Sequence, residues 1–450
     1  MRLRNLVRIN PSKSEVSCLP PTTEVTFAPM EAIADGLGGL DTSLSRTIEE
    51  VGSGSYSYFA DGDILLAKVT PCFENGKKAL AKGLRNGNGF ATSEVHVIRP
   101  GKEKIDPVFL TYLLSSQEFR AAGMASMTGA GGLRRVSESA ILDFRISITD
   151  ISTQQTIAAF LDRETARIDQ LIAKKERMIR RLAEKRAVVV SLRVTGLVAN
   201  GSELVETNSP FLPRVPRHWQ LSKLKHGILR IEQGWSPECE ARLAEDGEWG
   251  VLKVGCVNFG QFRDSEHKAL PNQLAPRPSL EIRVGDLLMS RANTSELVGS
   301  VALVKQVRTN LMLCDKLYRI VVDEGKLNAK FLHFVLNDRY VRRQIESECS
   351  GASQSMQNLS QAFVKELEVA IPSIDEQIQI ATRCQQISDG IATLLMAIER
   401  SIDRLRELRS ALITAAVTGQ IDVATWGERG ETDRRLEKIE HELAAEQTGG

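Results

Sequence analysis

The chain has 450 residues, 42% of them hydrophobic, and a formal net charge of +1 from 58 basic and 57 acidic side chains. That length suffices for two or three domains, and a mean hydropathy of −0.17 without a long apolar run excludes a membrane-spanning helix. Seven scattered cysteines without a C-x-x-C pair exclude a disulfide framework or zinc ribbon, and six histidines that never pair at i, i+4 point to no metal.

The chain opens Met1-Arg-Leu-Arg-Asn-Leu-Val-Arg, without the apolar core of a signal peptide, so a cytoplasmic location is expected. Residues 1–150 alternate short Val/Ile/Thr-rich runs with glycine turns. Gly62-Asp63 reads as a turn feeding a buried strand, residues 91–100 as a second strand, and 107–116 as a short helix. Residues 151–195 contain no Gly or Pro and read as one long helix, closed by Thr195-Gly196. A second mixed region, 201–372, follows and contains a Pro-rich linker at 210–216. After Pro372, apolar residues Ile380, Cys384, Ile387, Ile391, Leu394, Ile398, Ile402, Leu405, Leu408 and Leu412 recur at mostly three- and four-residue steps. That is a coiled-coil seam, closed by Thr418-Gly419. Residues 422–450 are a charged tail.

The two mixed regions and the two helices are one unit written twice. Gly62-Asp63-Ile64-Leu65-Leu66-Ala67-Lys68 becomes Gly285-Asp286-Leu287-Leu288-Met289-Ser290-Arg291 at a shift of 223. Phe109-Leu-Thr-Tyr-Leu-Leu becomes Phe331-Leu-His-Phe-Val-Leu at 222, and Gln154, Ile157 and Ala158 become Gln377, Ile380 and Ala381 at 223. Val194-Thr195-Gly196 becomes Val417-Thr418-Gly419 at the same shift. A period this long is a duplicated domain with its connector, not a solenoid.

Globule, helix, globule, helix is therefore the expected order, with each helix about 65 Å long at 1.5 Å per residue. Two single-stripe helices in one chain pair most simply antiparallel, giving a rod with a globule at each end and an approximate twofold axis. The predicted class is α+β: two duplicated α/β globules separated by two long helices that form an antiparallel coiled coil. The segments are 1–150, 151–200, 201–372, 373–421 and 422–450. Duplex DNA has matching local symmetry, and two diverged globules suit two unlike half-sites at fixed separation. A coiled-coil scaffold joining two binding modules without DNA affinity is the alternative from geometry.

Chemistry of its own is not evident. There is no G-x-x-x-x-G-K-[ST] loop, the glycines near 36–39 and 129–132 do not spell G-x-G-x-x-G, and Asn208-Ser-Pro-Phe211 lies in the Pro-rich linker. Asp63 and Asp286 read as turn formers. An autonomous DNA-modifying enzyme thus lacks its motifs.

The chain resembles the specificity subunits of type I restriction-modification systems. The resemblance rests on 58–77, on Gln154-Gln-Thr-Ile-Ala-Ala-Phe-Leu-Asp-Arg-Glu-Thr-Ala-Arg-Ile-Asp169, on Val215-Pro-Arg-His-Trp219, on Ile371-Pro-Ser-Ile-Asp-Glu-Gln377 and on 408–419. The first globule lacks a counterpart of Val215-Pro-Arg-His-Trp219, and Thr153-Gln154 stands where the second half has Glu376-Gln377. The resemblance implies two target recognition domains, each reading half of a bipartite, asymmetric site in double-stranded DNA. It implies helices that dock two modification subunits, which methylate adenine with S-adenosylmethionine. Restriction or translocase subunits using ATP and Mg can join. This chain itself would be non-catalytic, bind no cofactor or metal, and not meet a membrane.

Side chains that read bases or hold phosphates cluster in matched loops. After the first Gly-Asp strand come Lys68, Thr70, Asn75, Lys77 and Lys78; after the second come Arg291, Asn293, Thr294 and Ser295. A second loop pair, 129–135 and 351–357, offers Arg134 and Arg135 against Ser353, Gln354 and Gln357. Residues 162–193 carry ten basic and five acidic side chains, a solvated face or a surface for an acidic partner.

Overall fold

In a computed structural model the two Gly-Asp pairs make the same turn. Gly62 (φ 89°) and Gly285 (φ 96°) take left-handed backbone that a side chain would strain. Asp63 then accepts the Ala60 amide at 2.8 Å, and Asp286 accepts the Arg283 amide at 2.9 Å. The turn-former reading of both carboxylates holds, and each also meets an arginine: Arg99 grips Asp63 with two 2.7 Å bonds, while Arg319 lies 3.3 Å from Asp286.

The structure describes residues 1–34, 39–129, 132–197, 203–349, 357–423 and 426. They fall into two units. One takes Met1–Arg177 with the chain from Ala397 onward; the other is Met178–Met396.

The first unit holds strands β1 (Val7–Ile9), β2 (Glu24–Ala28), β3 (Ser45–Thr47), β4 (Ser57–Ala60), β5 (Ile64–Ala67), β6 (Lys78–Leu80), β7 (Asn88–Ala91) and β8 (Val95–Pro100). Its short helices are α1 (Ile48–Gly52), α2 (Pro107–Leu113), α3 (Gln117–Ala125) and α4 (Glu138–Asp143), followed by the long α5 (Ile151–Val194). One sheet runs β1-β8-β5-β6, the other β3-β2-β7-β4. Strand β5 is buried on both faces, as its unbroken apolar run requires.

The second unit repeats this plan. It begins with β9 (Leu204–Glu206), β10 (Arg214–Pro216), β11 (Gln220–Lys223), β12 (Ile228–Gln233), β13 (Gly250–Leu252) and β14 (His267–Ala269). There follow β15 (Leu287–Ser290), β16 (Ala292–Asn293), β17 (Val301–Leu303), β18 (Leu311–Met312) and β19 (Leu317–Val322). Helices α6 (Ala329–Leu336) and α7 (Arg339–Cys349), β20 (Gln357–Asn358), α8 (Gln361–Glu366), β21 (Glu368–Ile371) and the long α9 (Ile374–Val417) complete it. The sheet order β12-β19-β15-β17 matches β1-β8-β5-β6 strand for strand. Even register is kept: Leu66 faces Lys78 and, 223 residues on, Met289 faces Val301.

The long helices pair within each unit. In the first, Leu161 and Ile168 of α5 share a core with Leu405, Leu412 and Ile413 of α9. Asp169 binds Arg409 at 2.9 and 3.1 Å, and Glu176 lies 3.7 Å from Arg406, so the partner number falls as the α5 number rises. In the second unit Val194 of α5 shares a core with Ala381 and Cys384 of α9, and Arg186 donates to Ser388 at 3.2 Å. Both pairings are antiparallel. The seam residues Cys384, Ile398, Ile402, Leu405 and Leu412 are buried. Residues 427–450 of the charged tail lie outside the described residues.

One buried glutamine per unit ties globule to helix. Gln154 of α5 accepts the Asp106 amide at 2.8 Å and donates to the Thr149 carbonyl; Gln377 of α9 accepts the Asn328 amide at 2.8 Å and donates to the Pro372 carbonyl. Asp106 and Asn328 are themselves N-caps of α2 and α6, so the bond anchors a helix start to the long helix.

Candidate nucleic-acid interface

In each unit the loop after the Gly-Asp strand is held against the second matched loop. In the first unit Val69 bridges Arg135, and in the second Ala292 pairs with Asn358, again 223 residues apart on both sides. The Thr70 hydroxyl donates to the Gly132 carbonyl at 2.9 Å and accepts the Arg134 amide at 3.0 Å. The equivalent contact is Asn293 opposite Gln357 in the β16–β20 pair. The two loops singled out separately in the sequence are thus one composite surface per unit.

The individual side chains divide into three groups. Asn75, Arg134, Arg135, Thr294 and Ser295 are exposed, and Lys68 and Arg291 are half-buried at the loop bases. Thr70, Asn293 and Gln357 are buried, and the first two spend their polar atoms internally; Asn293 donates to Asn258 at 3.1 Å and accepts the Thr294 amide. Lys77 turns back to the Met30 and Ile33 carbonyls at 3.4 and 3.1 Å. The structure takes Lys78 off the loop surface: it is the first residue of β6, paired with Leu66, and only 2% exposed. Ser353 and Gln354 lie outside the described residues.

The exposed arginines are parked on carboxylates. Arg135 holds Glu94 through two 3.0 Å bonds, and Arg134 reaches Glu74 at 3.2 Å. These contacts lie at the surface, where an ion pair contributes about 0–1 kcal/mol. Exchange of a carboxylate for a phosphate therefore costs little. Arg291 reaches the Asp315 carbonyl at 3.4 Å, and the exposed Lys316 accepts backbone amides from Arg291 and Ala292 on its carbonyl. Lys316 and Asn258 belong beside this surface yet carry no signal in the sequence, because strand pairing and a turn bring them in from distant positions.

Each unit is thus an α+β globule whose paired polar loops form one surface, with its own antiparallel stretch of α5 and α9. No family model matches the chain. The type I restriction enzyme EcoEI specificity subunit of Escherichia coli is 27% identical over 485 aligned positions, covering 90% of this chain and 81% of that protein. The EcoAI specificity subunit, also of Escherichia coli, is 35% identical over 169 positions, 38% of this chain and 28% of that protein. Among solved structures, the HsdS subunit from Thermoanaerobacter tengcongensis superposes with a TM-score of 0.53 at 17% identity, covering 94% of this chain and 96% of that one. A chain from a study of complex assembly and conformational transition of the type I R-M system gives 0.67 at 18% identity, covering 94% and 97%. Over most of its length the chain is thus similar to type I restriction enzyme specificity subunits.

Proposed function

We propose that this chain is the non-catalytic subunit that gives a type I restriction-modification complex its DNA sequence specificity. The loops at 68–77 and 132–135 read one half of a bipartite site, and those at 291–295 and 357–358 read the other. One observation carries this reading: the two composite loop surfaces share a backbone register to the residue while their side chains differ. The exposed Arg135 stands where the second unit has the exposed Asn358, while Gln357, at the place of the exposed Arg134, is buried. The same frame with different polar side chains is what two unlike half-sites require.

The long helices dock two modification subunits in this account. Val188 and Leu192 of α5 and Ile378 and Met396 of α9 are exposed apolar side chains on helices whose seams are already filled. S-adenosylmethionine, ATP and Mg act on the modification and restriction subunits, and this chain binds none of them. Among the described residues no helix is long and apolar enough to cross a membrane, and the complex works on DNA in the cytoplasm.

The test is selection of bound sequences from a pool of random duplexes by the chain co-expressed with its modification subunits. The expected result is an asymmetric two-part motif with a fixed gap. A scaffold without DNA affinity returns the input pool, and methylation of the duplexes by the chain alone would make it an enzyme; either result overturns the proposal.

A further inference from the structure

The duplication also copies a cleft between globule and helix, and the two copies have diverged in charge. In the first unit a cavity of about 190 Å³ lies where β6, α3 and the last turns of α9 meet. Lys78, Arg120, Arg406 and Arg409 line it with Ser115 and Ser410, and no carboxylate does. In the second unit the matching cleft is lined by α5, α6 and α7. Ala183 stands there at the position of Arg406 and Ala187 at that of Ser410, and Val301 of β17 replaces Lys78, each displaced by 223. Arg186, the counterpart of Arg409, is kept, as is Arg342 for Arg120 at the α-helical shift of 222.

Lys78 is the anomaly. Its side chain is 2% exposed, yet its ammonium makes a single bond, to the Gly76 carbonyl at 3.2 Å. Among the described residues no carboxylate pairs with it or with Arg120, whose own bond goes to the Glu74 carbonyl and whose Nε is buried without a partner. Arg409 is held by Asp169, and Arg406 by Asp403 and more loosely by Glu176, so the carboxylates nearby are already engaged by other cations. A buried ammonium facing two guanidinium groups, with two donors unused, is costly unless an anion completes it. Burial, and next Arg120 and Arg409, push Lys78 down to about 7, a shift that an arriving anion reverses.

We propose that the first unit, and not the second, holds a small oxyanion of the phosphate class in this cleft, with Lys78 at its floor and Arg120, Arg406 and Arg409 around it. Guanidinium and ammonium donors are the groups that bind phosphate oxygens. A free phosphate or a terminal phosphoryl group fits better than the backbone of duplex DNA, because a stiff duplex meets exposed side chains and Lys78 is buried. The cavity borders the recognition loop, whose Asn75 and Gly76 also line it, but what fills it is set by the buried cations and not by the bases that the loop reads.

The experiment is titration calorimetry of the full chain with inorganic phosphate and with pyrophosphate, at constant ionic strength set by chloride. Saturable binding is expected. Lys78→Met and Arg406→Ala each weaken it by about tenfold or more, the loss of one charge-assisted bond, whereas Arg186→Ala in the second unit leaves it unchanged. Arg406 is a surface residue of a long helix, so Arg406→Ala keeps the fold if Lys78→Met does not. Absence of saturable binding by the wild type, equal loss in Arg186→Ala, or unchanged affinity in Arg406→Ala overturns the proposal. Displacement of bound pyrophosphate by a duplex of arbitrary sequence also overturns it, making the cleft a DNA backbone contact.

Discussion

The Asp106 amide donates to the side-chain oxygen of Gln154 at 2.8 Å, joining the start of α2 to the first turn of α5. Gln154 is fully buried and its amide nitrogen is also used, on the Thr149 carbonyl. Nothing but a glutamine-length amide satisfies both backbone groups at once. Gln154→Ala leaves the half-buried Asp106 N–H and the Thr149 carbonyl without this partner and empties a buried side-chain site, and we expect a loss of about 1–3 kcal/mol. Gln377→Ala in the second unit is expected to cost the same, and Gln155→Ala, at an exposed neighbouring position, less than about 0.5 kcal/mol. Urea denaturation of the three variants checks the ranking.

Arg99 offers a second stability test. It is the ion-pair partner of Asp63, whose side chain is 2% exposed. Arg99→Met strands that carboxylate, which costs about 3–5 kcal/mol when one partner of a buried pair is removed. Arg99 is itself 22% exposed, so the lower end is expected. A thermal melt of Arg99→Met that matches the wild type would remove this pair from the account of the turn.

Lys78 makes stability depend on pH in a defined direction. Its folded-state pKa lies at about 7 against an ordinary 10.5. Between those values the unfolded chain holds more protons than the folded one, so this group's contribution to stability rises with pH across that window. Below pH 7 its burial penalty is present in full. Lys78→Met is expected to melt above the wild type at pH 6.5, with the gap closing as pH approaches 10. Calorimetric melts across that range, without phosphate, give the difference; a gap independent of pH contradicts the assignment.

Release of Arg135 should strengthen DNA binding. Glu94 holds it in a two-pronged pair at the loop surface. Glu94→Gln frees the guanidinium for a phosphate, and the salt dependence of DNA binding should steepen by about one unit of slope, while Arg135→Ala makes it shallower by the same amount. Fluorescence anisotropy at several salt concentrations measures both.

Much of the architecture was legible in the sequence because the duplication supplies its own control. The 223-residue shift located both Gly-Asp turns and both long helices, a shift of 222 matched the second loop pair, where the structure has 223, and α5 and α9 end at Val194 and Val417, next to the predicted Thr-Gly closures. The pairing of Val69 with Arg135, and of Ala292 with Asn358, was not legible, since contact between loops 66 residues apart is set by tertiary packing. Lys78 counts as a loop cation in the sequence because it falls in the stretch after the first Gly-Asp strand. The contrary signal was Val301 at the matching position, which marks the site as a strand position facing inward. Arg134 and Arg135 were found as candidates, but their carboxylate partners Glu74 and Glu94 come from other segments and carry no local pattern.

The most direct test is methylome sequencing of a host carrying the complete system with wild-type chain, with Arg134→Ala/Arg135→Ala, and with Arg291→Ala/Ser295→Ala. The account predicts a bipartite motif for the wild type, a relaxed or lost preference in one half for the first variant, and in the other half for the second. Equal weakening of both halves by either variant, or a motif unchanged by both, would contradict the assignment of one composite loop surface to each half-site.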